Sequence, residues 1–531
     1  MNIFEFENIR QRLLKQVVSQ TLQDFEHSSL DILLSEALYL EKFRMKRAPA
    51  SFFTKSRYKK DLGLWKNIQK GLLESQAQTD RKQLLQTVLN HYVGEIGGHF
   101  DPLIYKVATH AVPWGFNWLL HAASVRRFLP WGIQEELKKK IHIHGEVQCL
   151  QKLSQKGTIL LVPTHQSNLD SLLIGYIIYL MGLPPFAYGA GLNLFSNPIL
   201  GFFMSRLGTY TVDRQKTNLI YKQILKNYSA QILRESIHSV FFPGGGRSRS
   251  GSIENKLKLG LLGTGLQAEL QNWIEGKTNP RIFIFPMVTS YHFVLEASSL
   301  IEDYLAESGK HRFIIMDDES WQSFKILSFF WKFFSSQSAI TVRIGKPLDV
   351  FGNFVNDEGE SIGPNGVTID PKKWFTTFGK LKTETQRDQE YTRELGEKLA
   401  ERFHYENTVL SSHLVAFVMF EVLRKKYRDL DLYRFLRLTP PQRTVVYETF
   451  LQEAEVIHQK IKKAYSHGKL YMSEFLINAD TRTWVTEGMV NLGVLHEAKV
   501  VASDGSIVWS EDMNLLFYYR NRLIGYGFEG D

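Results

Sequence analysis

Between residues 141 and 351, short β-rich apolar runs alternate with stretches of helical length, and this alternation restricts the fold more than any other property of the chain. The runs "KIHIHGE", "TILLVPTH", "HSVFFPGG", "RIFIFPMVTSY" and "AITVRIGKPLDV" are separated by segments such as "LIYKQILKNYSAQILRES". Strands alternating with helices predict an α/β domain built on a mostly parallel sheet with flanking helices. Ligands bind such sheets beyond the carboxyl ends of the strands. The segments that directly follow strands, "PTHQS", "PGGGRSRSG" and "PMVTSYH", are therefore where chemistry is expected.

The flanks read differently. Residues 1–140 form a helical N-terminal region, because "IRQRLLKQVVSQTLQDF" and "DRKQLLQTVLNHYVGEI" space their apolar residues by three and four. Residues 141–351 are the α/β domain, and 352–380, rich in turn formers, are a loop or linker. Residues 381–531 form a helical C-terminal domain that ends in a hairpin across Asp504-Gly505. Helices followed by a hairpin resemble a winged helix, yet the helix "DTRTWVTEGMVNLG" carries one basic residue, too few to read a groove. No nucleic-acid partner is expected.

The formal charge of +9 implies an anionic partner, and with 36 Phe and 10 Trp the composition leans toward a lipid surface. Cys149 stands alone, which rules out internal disulfides and thiolate zinc clusters. No signal-peptide pattern and no apolar run of about 20 residues is present. The expectation is a protein peripheral to the cytoplasmic face of a membrane, the inner one in a bacterium. The aromatic segment 323–334, "SFKILSFFWKFF", fits either an interfacial helix or a core helix.

In "VPTHQSNLD" a histidine and an aspartate lie five apart at a strand-to-helix turn. On one helix they would point about 140° apart, so His165 belongs in the loop and Asp170 in the first helical turn. There the carboxylate can take the proton of one ring nitrogen and leave the other as a base. Taken alone, the same letters also fit a helix-start histidine with an unrelated acid nearby. In "FFPGGGRSRSG" the glycines let backbone N–H groups approach an anion, and Arg247 and Arg249 can grip phosphate oxygens in pairs. No G-K-[ST] closes this loop and the dinucleotide glycine spacing is missing. The segment "GTYTVDR" adds Asp213 and Arg214 after a further extended run.

These blocks, with "IFPMVTSY", resemble in order and spacing the glycerolipid acyltransferase superfamily, and within it the glycerol-3-phosphate/dihydroxyacetone-phosphate O-acyltransferase branch. The double arginine, the long helical N-terminal region and the C-terminal "LLFYYRNRLIGYGF" carry the second step. The resemblance implies transfer of a fatty acyl group from a thioester donor, acyl-CoA or acyl carrier protein, to the sn-1 hydroxyl of glycerol 3-phosphate, with no cofactor or metal. It makes His165 the base and Asp170 its orienting acid. Arg214, Arg247, Arg249, Gly245, Gly246 and Ser248 become the phosphate site. Helix-start N–H groups, with Ser167 or Asn168, are candidates for the oxyanion, and Leu172–Leu180 and Leu192–Phe203 for the acyl groove. One departure stands out: the family's usual glutamate before the last two glycines is Gly244 here. Lysophosphatidate or dihydroxyacetone phosphate are alternative acceptors, and a non-catalytic lipid-binding scaffold is the alternative of another class. His292 and His413 are expected to be ordinary core histidines.

Overall fold

The computed structural model describes residues 3–47, 55–74, 77–109, 140–195, 198–308, 339–493 and 496–529. The aromatic segment 323–334 lies outside these.

Four helices open the chain: α1 (Phe6–Asp24), α2 (Leu30–Arg47), α3 (Lys55–Glu74) and α4 (Gln78–Ile96). The α1 stripe of Phe6, Ile9, Leu13 and Val17 is buried, as its spacing requires. The α/β part follows with β1 (Ile141–Gly145), α5 (Val147–Lys156), β2 (Thr158–Pro163), α6 (Asp170–Leu180), β3 (Ala187–Gly191), α7 (Pro198–Met204) and β4 (Thr209–Val212). Then come α8 (Leu219–Arg234), β5 (Ser239–Val240), α9 (Leu259–Ile274), β6 (Ile282–Tyr291), α10 (Ala297–Ser308) and β7 (Ile340–Ile344). The strands make one seven-stranded sheet in the order β1-β7-β6-β2-β5-β3-β4. Every neighbouring pair is parallel except β6 with β7.

Central β2 is buried along its whole length, which is why it reads as a continuous apolar run without alternation. Because β2, β5, β3 and β4 run the same way, the segments after β2, β5 and β4 all emerge at one edge of the sheet. The N-terminal helices cover the β3/β4 end, where Phe6, Leu13, Val88 and Tyr92 share a core with Tyr210, Ile220 and Tyr228.

The stretch read as a loop or linker, 352–380, carries short antiparallel ladders, Phe354–Val355 with Ser361–Ile362 and the latter with Thr368–Ile369. Two-residue strands leave no periodicity to read. Side-chain turns hold them: Asp349 Oδ1 accepts from the N–H of Phe351 and Asn353, and Asn356 Oδ1 from that of Glu360.

The C-terminal region contains α11 (Thr385–Tyr405), α12 (Ser411–Lys426), α13 (Tyr447–Ser466), α14 (Thr481–Gly493) and α15 (Met513–Arg520). Its hairpin, Ala502–Ser503 with Ile507–Trp509, turns at Asp504-Gly505 as expected and pairs further with Thr444–Val446. This region packs directly on the sheet domain, with Phe417, Leu516 and Tyr519 in one core with Tyr291, Phe293 and Val342.

Candidate active site

His165 lies in the loop after β2 and Asp170 opens α6, as the spacing requires. Their side chains meet at 2.9 Å, His165 Nδ1 to Asp170 Oδ2. Asp170 is fully buried and fully engaged. Its Oδ2 accepts the N–H groups of Gln166 (2.7 Å) and Ser167 (2.9 Å), and its Oδ1 accepts the hydroxyl of Tyr291 at the end of β6. Burial and the adjacent carboxylate push the Tyr291 phenol well above its ordinary pKa, so it stays a donor.

The imidazole stacks on Phe242 at 3.9 Å between centroids, with 12° between planes, which limits its rotation. Burial lowers its pKa first; Asp170 opposes that shift, and the positive charges of Arg247 and Arg214 add to it. The ring is therefore neutral at pH 7. With Nδ1–H donating to Asp170, Nε2 is left as the base.

The glycine-arginine loop follows β5, the strand beside β2, and is locked to the histidine: Ser248 N donates to His165 O at 2.8 Å. Gly245 has φ +72°, a conformation that only glycine adopts without strain. Arg247 lies 3.6 Å from Glu296, which also accepts Ser167 Oγ (2.9 Å) and Asn168 N (3.1 Å). Glu296 thus ties the histidine loop to the arginine loop.

Arg214 follows β4 and approaches the same loop; a Cβ placed on Gly246 would lie 3.7 Å from its Nη1. Its guanidinium is crowded by protein yet open to solvent, and burial, together with the like charge of Arg247, lowers its pKa. Two guanidinium groups that repel each other beside a neutral imidazole form a site ready for an anion.

Not every expected residue joins this cluster. Arg249 points away and pairs with Glu307 of α10 at 2.7 Å, both largely exposed. Ser248 Oγ donates to Ser252 O at 2.6 Å, so the hydroxyl shapes the loop while the backbone N–H holds His165. The expected oxyanion donors are also engaged: Ser167 N with Asp170, Ser167 Oγ and Asn168 N with Glu296, and Leu169 N with Ser167 Oγ. The carboxylates that stabilise this turn take up the donors an oxyanion would need. Ile174, Tyr176, Ile177 and Ile178 of α6 are core, whereas Leu172, Leu173, Tyr179 and Leu180 are half-buried. His292 and His413 are buried and bonded, to Ser412 Oγ (3.0 Å) and Tyr291 O (2.9 Å), as expected of core histidines.

Three side chains at the site have no local sequence signal, Glu296, Glu254 and Arg522, while Tyr291 stands in the strand-end run "PMVTSYH" without a role read for it. Glu254 accepts the His165 N–H at 2.8 Å. Arg522, buried just after α15, donates to Thr289 O (2.9 Å) and Asn407 Oδ1 (2.8 Å) and is the cation facing both Glu254 and Asp170.

Residues 144–290 match the family model described as Acyltransferase. The match is confined to this segment of the chain. The acyltransferase segment is similar to the glycerol-3-phosphate acyltransferases of Pasteurella multocida (strain Pm70), with 34% identity over 179 residues, and Hamiltonella defensa, with 32% over 186. The alignments cover 33% and 35% of this chain but only 21% and 22% of those relatives. A longer match, 26% over 303 residues, relates 56% of the chain to 32% of the glycerol-3-phosphate acyltransferase of Pseudomonas fluorescens (strain Pf0-1). The chain therefore spans at most about a third of these curated relatives. His165, Asp170, Arg214, Arg247 and Glu254 all fall within the acyltransferase segment, whereas Glu296 and Arg522 lie beyond it.

Proposed function

We propose that the chain transfers a fatty acyl group from a thioester, acyl-CoA or an acyl carrier protein, to the sn-1 hydroxyl of glycerol 3-phosphate. One observation carries this reading: an imidazole aimed by a buried carboxylate shares the carboxyl edge of the sheet with two guanidinium groups. Names of the relatives supply the acceptor.

In this mechanism the acceptor phosphate docks against Arg214 and Arg247. His165 Nε2 takes the proton of the hydroxyl as its oxygen attacks the thioester carbonyl, and Asp170 holds the imidazolium that forms. The C–S bond then breaks, and the proton passes from His165 to the departing thiolate. Atoms balance without a cofactor, the thioester being a co-substrate. A positioned base contributes roughly 10²- to 10⁴-fold. The formal charge of +9 supports peripheral contact with an anionic membrane surface. No helix among the described residues is long and apolar enough to cross a membrane.

The test is thiol release from an acyl thioester with glycerol 3-phosphate, dihydroxyacetone phosphate or lysophosphatidate as acceptor. Glycerol 3-phosphate should give the highest kcat/KM, and His165→Ala should lower kcat by about 10² or more. Preference for another acceptor would change the substrate. Thiol release unaffected by His165→Ala would overturn the mechanism.

A further inference from the structure

Gly244 has no backbone reason to be glycine. Unlike Gly245, it is not in the left-handed region. What crowds a side chain there is Glu254: a Cβ on residue 244 would sit 3.1 Å from both Cγ and Oε1 of Glu254. The volume into which a residue-244 side chain would grow is already occupied by a carboxylate from ten residues downstream.

That carboxylate is engaged at the catalytic histidine. Oε1 of Glu254 accepts the His165 N–H at 2.8 Å, while Ser248 N donates to the His165 carbonyl at 2.8 Å. The loop thus grips His165 by the N–H on one side and by the carbonyl on the other. Arg522 is the cation that attracts Glu254, Asp170 the anion that repels it, and part of its surface stays open to solvent. The glutamate that the sequence resemblance implies at position 244 would project from the same point.

We propose that Glu254 is a positioning residue that supplies from position 254 the carboxylate expected at 244, fixing the His165 backbone against the arginine loop, with Gly244 as its steric counterpart. This rests on the acyltransferase reading of the site.

Glu254→Ala should lower kcat about tenfold or more, the loss of a hydrogen bond to a charged acceptor, with the donor KM unchanged. Glu254→Gln keeps an acceptor oxygen and should stay within about threefold of the parent. Gly244→Glu alone should impair the enzyme by crowding Glu254. The double variant Gly244→Glu/Glu254→Ala should recover about tenfold over Glu254→Ala, a rescue that a general loss of packing would not give. Hydrogen exchange at the His165 amide, read by mass spectrometry, gives a measure independent of turnover: protected in the parent, faster in Glu254→Ala, slowed again in the double variant. Parent-like kcat and exchange in Glu254→Ala, a Glu254→Gln variant as impaired as Glu254→Ala, or a double variant no better than the single one would each overturn the proposal. A parent without glycerol 3-phosphate activity would overturn the functional reading instead, while the exchange series would still judge Glu254.

Discussion

At the scale of single residues, the charges around His165 set a pH behaviour. Burial lowers its pKa, and Arg247 and Arg214 lower it further. A lowered imidazole pKa keeps the base neutral to lower pH, so activity is lost on the acid side only. A bound phosphate dianion would offset the two guanidinium charges and raise the His165 pKa in the complex. The acid limb of kcat should therefore lie at higher pH than that of kcat/KM, by on the order of one pH unit for a charge screened at an effective dielectric near 20. Glu254, raised by burial to about 7, titrates nearby, so the profiles are best repeated in Glu254→Gln. Coincident limbs in both backgrounds would mean that the phosphate does not bind beside the ring. Asp170→Asn removes the one influence that raises the His165 pKa and the acceptor that orients its tautomer. Its kcat should fall by roughly 10²-fold or more, measured by thiol release, with the acid limb moved down.

At the scale of elements, the strand ends were legible and their supports were not. His165 and Asp170 stand five apart after an apolar run, and the glycines and arginines follow another, so periodicity and turn chemistry locate them. Glu296 and Arg522 reach the same point across more than a hundred residues, where no local spacing marks them, and Tyr291, though at a strand end, meets Asp170 across a similar span. Arg249 looked equivalent to Arg247, but a loop turns alternate side chains to different surroundings, and Glu307 captured it.

Arg214 shows a second kind of hidden support. Two residues on, Lys216 inserts among the N-terminal helices, 2.5 Å from Glu95 of α4 and 3.4 Å from Asp61 of α3. His91 and Arg44 also bind Asp61, and Asn218 donates to Glu41 (2.8 Å) and Tyr92 (2.9 Å). Burial alone would raise the Asp61 pKa; the His91 hydrogen bond, Lys216 and Arg44 bring it below the usual range. The helices that spacing marks only as amphipathic thus clamp the loop that carries Arg214. Lys216→Met leaves the buried Asp61 and the half-buried Glu95 short of a cation, at a cost of about 3–5 kcal/mol. A lower thermal midpoint and a raised acceptor KM, with the donor KM unchanged, are expected; an unaltered acceptor KM would uncouple the helices from the site.

At the scale of the whole molecule, the site is assembled from both ends of the chain. Gly251 of the arginine loop lies so close to Tyr518 of α15 that a Cβ would come within 2.2 Å of its carbonyl oxygen, and Asn521 Nδ2 donates to Ser250 O at 2.8 Å. Tyr519 Oη accepts the N–H of Val294, just after β6. The helix α15 and the residues just after it are thus fastened to the arginine loop and to the end of β6, contacts that lie outside the matched segment 144–290. Arg522 is the sharpest test because it is buried and reaches both the β6 carbonyl and the carboxylates around His165. Arg522→Leu removes the positive charge facing Glu254 and Asp170, so Glu254 becomes harder to ionise and the acid limb of kcat should move to higher pH. Losing a buried, hydrogen-bonded cation also costs about 3–5 kcal/mol. Arg522→Lys restores the charge without the paired geometry and should recover the pH limb more than the stability. If both variants kept the parent's pH profile while losing stability alike, Arg522 would be a packing residue, and the C-terminal region would support the fold without tuning the reaction.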